Sequence, residues 1–509
     1  MWWILTALVY RHTQSNFLRA ESGWYLYLSH SAPEIQQRSE KYLLTKSFHG
    51  HYAPLALLAE FETAKLIGTH AGFWKWRQVT ILAMLATMLF LLVRNSGYAL
   101  QLSRLNASLS AVGLTAILIF QGQMREFVAF PLLILQLCWL LFTVIALLSL
   151  VQMVRHPGEI FWPWLAAGAS YTSLHFLGLG IATVAGTAAA LAGIWLQARH
   201  RGSSSDASKI PVPLFSMLAL TTFHAVIMLK LPFDRPIAPS TAWQPVPFLM
   251  ASLGFIPNFA FATVRSLFST CQPTPSAEQI MQDWPYGLAI VLGFASLVSA
   301  AFFRFLREPT TRNRARFILQ TFASVSFLTI IALTLVRVRH EPSFGFAGYL
   351  IGSRYLIPSS FTLVGVITEL IFLFASAPLP LIVILNMGLG VCAITGNLQY
   401  AINVYPKVAP RSMISHAHAW QSIVAMASEC RRANLAIPNV PLGALTQEFA
   451  TWDLKLFEPL LRADLKSPPD TSLKFVEWTS PTNELPNEYD RAVPSLTEVR
   501  KKLHLETRK

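Results

Sequence analysis

Long uncharged apolar runs alternating with short basic connections set the pattern of this chain. Val128–Val154, Tyr286–Phe303 and Phe317–Val336 hold no charged residue at all. A membrane-crossing helix needs roughly 20 mostly apolar residues, and soluble cores do not string many uncharged helical runs together. The pattern predicts spans at 79–93, 108–120, 128–154, 160–174, 176–197, 211–229, 285–303, 317–336, 354–376 and 378–396. Ahead of them, Trp2–Tyr10 is apolar but only half a span, with neither the basic start nor the small-residue cleavage site of a signal peptide. The expected fold class is all-α: a polytopic transmembrane helical bundle of about 10–12 spans. Its first span is incomplete as it stands, its long loops lie on the outer side, and a small mixed tail ends the chain.

Composition agrees with the pattern. The chain is 53% hydrophobic and 13% charged, where a soluble domain carries about 25% charged residues. The formal charge of +14 would suggest a polyanion partner in a soluble protein. The tail from Ala401 holds 14 basic and 12 acidic residues, so the excess belongs to the membrane part and no nucleic-acid partner is implied. Its placement follows the rule that cytoplasmic loops carry the Lys/Arg excess. Arg94 and Arg104, then Arg155 with His156, then Arg199, Arg201 and Lys209, then Arg304, Arg307, Arg312, Arg314 and Arg316 mark four connections expected on the inner side. Residues 11–78, 230–284 and 337–353 become long outer connections, with Arg337 and Arg339 as the exceptions to the charge rule. The apolar piece Phe248–Phe261 reads as helix lying on or dipping into the membrane; counted as a full span, it would move the Arg304–Arg316 loop outside. The domain reading is a membrane domain over 1–400 and a polar, partly helical or disordered tail over 401–509. Four cysteines show no metal-ligand spacing.

Candidate chemistry lies mainly in the outer connections. Glu21 follows the first apolar stretch, and an acid there can serve as a general base or hold a metal; a solvated loop acid is the plain alternative. His49 and His51 flank a glycine just before Tyr52 and Pro54, a pair that could bind a metal or a phosphate, with no third metal ligand nearby. The run from Pro54 to Gly68, with Glu60, Glu62 and Lys65 among leucines and alanines, reads as a helix lying in the membrane interface. Arg125 sits in a short outer loop, facing either Glu126 or a lipid phosphate. His175 stands at an outer turn between two apolar runs, for packing or for substrate. Arg354 and Tyr355 open a late span before Pro358, where guanidinium suits phosphate and an interfacial anchor is the alternative. His224 and Glu369 lie within spans; a charge such as that of Glu369 costs about 2–3 kcal/mol there on insertion scales, and its position in the inner half favours a structural role.

Taken in order, these pieces resemble the GT-C superfamily of polyprenyl-phosphate-sugar-dependent glycosyltransferases, in its mannosyltransferase and aminoarabinose-transferase branch. Glu21, the His51-Tyr52-Ala53-Pro54 segment before an interfacial helix, and Arg354-Tyr355-Leu356-Ile357-Pro358 carry the resemblance over about residues 1–400. It implies transfer of a sugar from a polyprenyl-phosphate donor to an acceptor at the outer membrane surface, with inversion and with Glu21 as base. It assigns His49, His51, Tyr52, Arg125, His175, Arg354 and Tyr355 to substrate binding. Partners would be the lipid-linked donor, an acceptor the sequence does not name, and membrane lipids. No cofactor is required, a divalent cation being the one addition such a site would take. A bacterial inner membrane is the expected location. Many members show paired acids in the first loop, whereas Ala20-Glu21-Ser22 offers one. The intramembrane His224 and Glu369 motivate an alternative, a transporter or flippase; a noncatalytic membrane scaffold presenting the tail is the other.

Overall fold

The computed structural model describes residues 1–11, 13, 36–37, 40–41, 43–44, 52–67, 71–122, 124–130, 133–201, 208–230, 245–268, 284–308, 310–340, 379–399 and 402. Helices alone make up the regular structure among them: α1 (Trp2–Val9), α2 (Pro54–Ile67), α3 (Ala71–Ala99), α4 (Arg104–Ile119), α5 (Met124–Ala129), α6 (Ile134–Arg155), α7 (Phe161–Leu174), α8 (Gly180–His200), α9 (Pro211–Lys230), α10 (Pro245–Phe268), α11 (Trp284–Arg307), α12 (Thr311–His340) and α13 (Leu379–Gln399). Six of these, α3, α6, α8, α9, α11 and α12, are long and apolar enough to cross a bilayer. The chain is an integral, multi-pass membrane protein.

The uncharged run Val128–Val154 does not fold as one span. Its first residues belong to α5, which ends at Ala129, and α6 starts only at Ile134, with Pro131 in the sequence between them. Proline disfavours helical geometry in the residue before it and lacks an N–H to donate, so a helix boundary falls there. Gln78 secures the break by donating to the carbonyls of Phe127 (2.8 Å) and Phe130 (3.3 Å). Apolar all round, α6 takes the centre of the bundle, as such a helix must, with α3, α7, α8 and α12 packed around it. Short polar side chains join these helices. Trp139 donates to Thr183 (3.0 Å), Thr143 and Thr183 bond at 2.7 Å, Ser170 meets Thr187 at 2.7 Å, and Ser326 donates to the Ala182 carbonyl at 2.8 Å. Interhelical hydrogen bonds of this kind hold bundles in lipid, where no hydrophobic force separates helix from solvent.

Two expected spans are short. With 16 and 14 residues, α4 and α7 reach about 24 and 21 Å, less than the hydrocarbon thickness of roughly 30 Å. By contrast α10, with 24 residues, is longer than the piece Phe248–Phe261. It packs along α11, with Phe261 and Tyr286 stacked at 5.6 Å. A Cβ on Gly287 would stand 1.9 Å from the Pro257 carbonyl oxygen, so the two backbones approach closely there.

All four basic connections meet at one end of the bundle. Arg155 bonds the Asn95 side chain, Lys209 donates to the Gly158 carbonyl (2.8 Å), and Arg201 donates to the carbonyls of Leu306 and Arg307 (both 2.9 Å). The contacts of Arg201 hold the Arg304–Arg316 loop with the other three, so α10 does not reverse its side. The expected span 354–376, the tail from 403 onward and most of the first loop lie outside the described residues.

Candidate functional site

At the opposite end, the turn between α7 and α8 meets the last turns of α9 and the start of α2. The imidazole of His175 packs edge-on against that of His224, with ring centres 5.0 Å apart, and against Tyr171 at 4.9 Å. Tyr52 completes the group, 5.1 Å from the His224 ring, and its hydroxyl donates to the Leu44 carbonyl at 3.2 Å. The backbone takes part too. Ala56 N–H, in the first turn of α2, donates to the His175 carbonyl at 3.2 Å, satisfying one of the N–H groups every helix start leaves open. Burial, with the His224 imidazole beside it, holds the His175 ring below the ordinary histidine range. Burial, with Tyr171 close by, raises the Tyr52 phenol. A neutral imidazole beside a phenol can accept a proton from a hydroxyl or donate to an oxygen of a bound ligand. His175 Nδ1 has no hydrogen-bond partner among the described residues.

The helix α2 is fixed a second time by an ion pair. Arg77 of α3 grips the Glu60 carboxylate with two bonds, Nη1 to Oε2 at 2.5 Å and Nη2 to Oε1 at 3.3 Å. Its guanidinium also lies over the Trp74 ring, 4.7 Å from the ring centre. Glu60 has no solvent exposure. Burial pushes its carboxyl above the usual carboxylate range while Arg77 pulls it back. The sequence carried a signal for this. Ala53, Ala56, Leu57, Glu60, Phe61 and Ala64 follow helical spacing and are all buried, which puts the acid on the apolar stripe. So α2 docks on the bundle through its buried face, a contact that the charge pattern alone did not show.

Arg125 is also buried, in a third group. It donates to Thr13 Oγ1 (2.8 Å), to the Val9 carbonyl (3.4 Å) and to Asn397 Oδ1 (2.7 Å), and it lies over the Tyr10 ring. Asn397 and Tyr10 in turn donate to the last carbonyls of α4, those of Phe120 (3.1 Å) and Ile119 (2.7 Å). The guanidinium thereby joins α1, α4, α5 and α13, a role the sequence alternatives, Glu126 or a lipid phosphate, did not include.

Of the residues singled out from sequence, the structure brings Tyr52 and His175 into one cluster through His224, and places Arg125 in a separate node. Glu21, His49, His51, Arg354 and Tyr355 lie outside the described residues, as does Glu369. Among the described residues no three His, Cys, Asp or Glu side chains group as a metal site. No protein-family model, curated protein or solved structure matches the chain.

Proposed function

We propose that the chain is a membrane glycosyltransferase that moves a sugar from a polyprenyl-phosphate-linked donor to an acceptor at the bundle end opposite the basic loops, in a bacterial inner membrane. The observation that supports this reading is the docking of Tyr52 and α2 onto His175 and His224. It sets a first-loop segment, of the type the resemblance expects, against the ends of α7 and α9. In the proposed reaction the Glu21 carboxylate takes the proton of the acceptor hydroxyl. The acceptor oxygen bonds to the anomeric carbon as the bond from that carbon to the phosphate oxygen breaks. The polyprenyl phosphate leaves with its negative charge met by Arg354, since charge developing on a leaving group is best stabilised by fixed positive groups. Donor energy is already stored in the phosphate ester, so the reaction needs no nucleotide.

The test is sugar transfer in membranes that contain a polyprenyl-phosphate sugar donor. Glu21→Gln should lower the rate by about 10²–10⁴, the usual contribution of a general base, and Arg354→Ala should also depress it. Full activity in both variants would end this mechanism. Uptake of substrate into proteoliposomes without covalent transfer would favour a transporter, the reading in which the buried His224 lines a path.

A further inference from the structure

We infer that the basic end of the bundle is a binding surface for an anionic phospholipid, centred where the ends of α8 and α11 meet the start of α12. Arg199 and His200 close α8, Arg201 follows, Arg304 and Arg307 close α11, and Arg312 opens α12. The structure gives Arg201 a local task, because its bonds to the Leu306 and Arg307 carbonyls cap α11. The other four arginines, Arg199, Arg304, Arg307 and Arg312, are exposed and meet no carboxylate among the described residues. Glu308 is the single described acid between α11 and α12.

Charge alone would fit any polyanion; the neighbouring apolar surface narrows the choice. Phe302, Phe303 and Leu306 are 45%, 61% and 49% exposed on the last two turns of α11. Phe303 stands one turn from Arg307, and Phe302 one turn from Leu306, by the i, i+4 spacing of a helix. Exposed aromatic and aliphatic side chains thus adjoin guanidinium groups on the same end of α11. That matches the two chemistries of a phospholipid, an apolar body and a phosphate. Basic sites between transmembrane helices take anionic headgroups in this way, and a planar guanidinium pairs with phosphate oxygens through two parallel bonds. Phe302 and Phe303 carry the lipid-facing surface of α11 up to the arginines, so a phospholipid reaches both, whereas a soluble acidic partner would meet the arginines alone. The inference stands apart from the sugar-transfer reading, which concerns the other end.

The experiment uses the full chain, purified in detergent and exchanged with phosphatidylglycerol or with phosphatidylcholine, with retained lipid counted by native mass spectrometry. Phosphatidylglycerol should be retained in preference, and retention should fall as salt rises. The pair Arg304→Gln and Arg307→Gln should lower phosphatidylglycerol retention at least about fivefold and leave phosphatidylcholine unchanged. The charge-matched pair Lys65→Gln and Lys230→Gln, at the opposite end, should leave phosphatidylglycerol retention as it was. Equal retention of the two lipids would overturn the inference. So would equal loss in both variant pairs, which would show an effect of net charge alone, or a lipid-free dimer through this face.

Discussion

A carboxylate without solvent access, such as that of Glu60, persists in a fold only when something offsets its lost hydration. Arg77 does so through its paired bonds. Arg77→Ala should therefore cost about 3–5 kcal/mol, the usual loss when a buried pair keeps only one partner. Thermal unfolding in detergent would measure it. Replacing both residues with methionine should cost much less, because no buried charge is then left alone. The cluster around His175 predicts a pH effect. Its imidazole, faced by His224, Tyr171 and Tyr52, titrates below the ordinary histidine range in the folded protein. Above that range the ring is neutral in folded and unfolded chains alike. As pH falls below it, the unfolded chain takes up the proton first, so stability drops with pH until the folded ring is also charged. Unfolding followed across this window should show the loss, and His175→Gln should reduce it. The Glu60 burial was legible in the apolar stripe of α2, but its partner was not: Arg77 is 17 residues away along the chain, and periodicity on one helix says nothing about which helix it will meet.

At the scale of helices, apolar runs detected α3, α6, α8, α9, α11 and α12, because each is defined by its own composition, although α3 runs well beyond the expected 79–93 and the run 128–154 is divided between α5 and α6. Where neighbours decide, the sequence was less informative. The close approach of α10 to α11 is an example, since it depends on Gly287 lying against the Pro257 carbonyl. Gly287→Ala should force the two backbones apart and destabilise the fold by about 1–3 kcal/mol, as overpacking does. Gly72→Ala is the matched control. A Cβ at Gly72 meets nothing within 4 Å, so alanine in that helical position should leave stability unchanged or raise it by up to about 1 kcal/mol. Unfolding of the two variants side by side separates packing from propensity. Unchanged stability in Gly287→Ala would mean that α10 does not press on α11 as described.

Over the whole molecule, two chemically different ends emerge. One gathers Arg155, Arg201, Lys209 and Arg304–Arg316; the other carries the His175 cluster, the docked α2 and Lys230 at the close of α9. A membrane-impermeant thiol reagent tests this. With the native cysteines replaced, cysteines at Ser103, Gly158 and Glu308 should all label from one face of the membrane, and one at Lys230 from the other. Labelling of the Gly158 and Glu308 positions from opposite faces would break the arrangement.

Residue order by itself determined that this is a polytopic α-helical membrane protein and that its four basic connections share a side, because hydropathy and charge act on each segment directly through the bilayer. It also supplied the resemblance on which the sugar-transfer proposal stands. Tertiary structure decided what each polar residue does. Arg125, read as an outward or locally paired cation, became the joint of four helices, and the partner that docks α2 through Glu60 came to light. His224, read only as a histidine within a span, became the link between Tyr52 and His175. The reason is physical: burial energy is set by each segment's own composition, whereas a hydrogen bond or an ion pair depends on a partner that only the packed chain brings within reach.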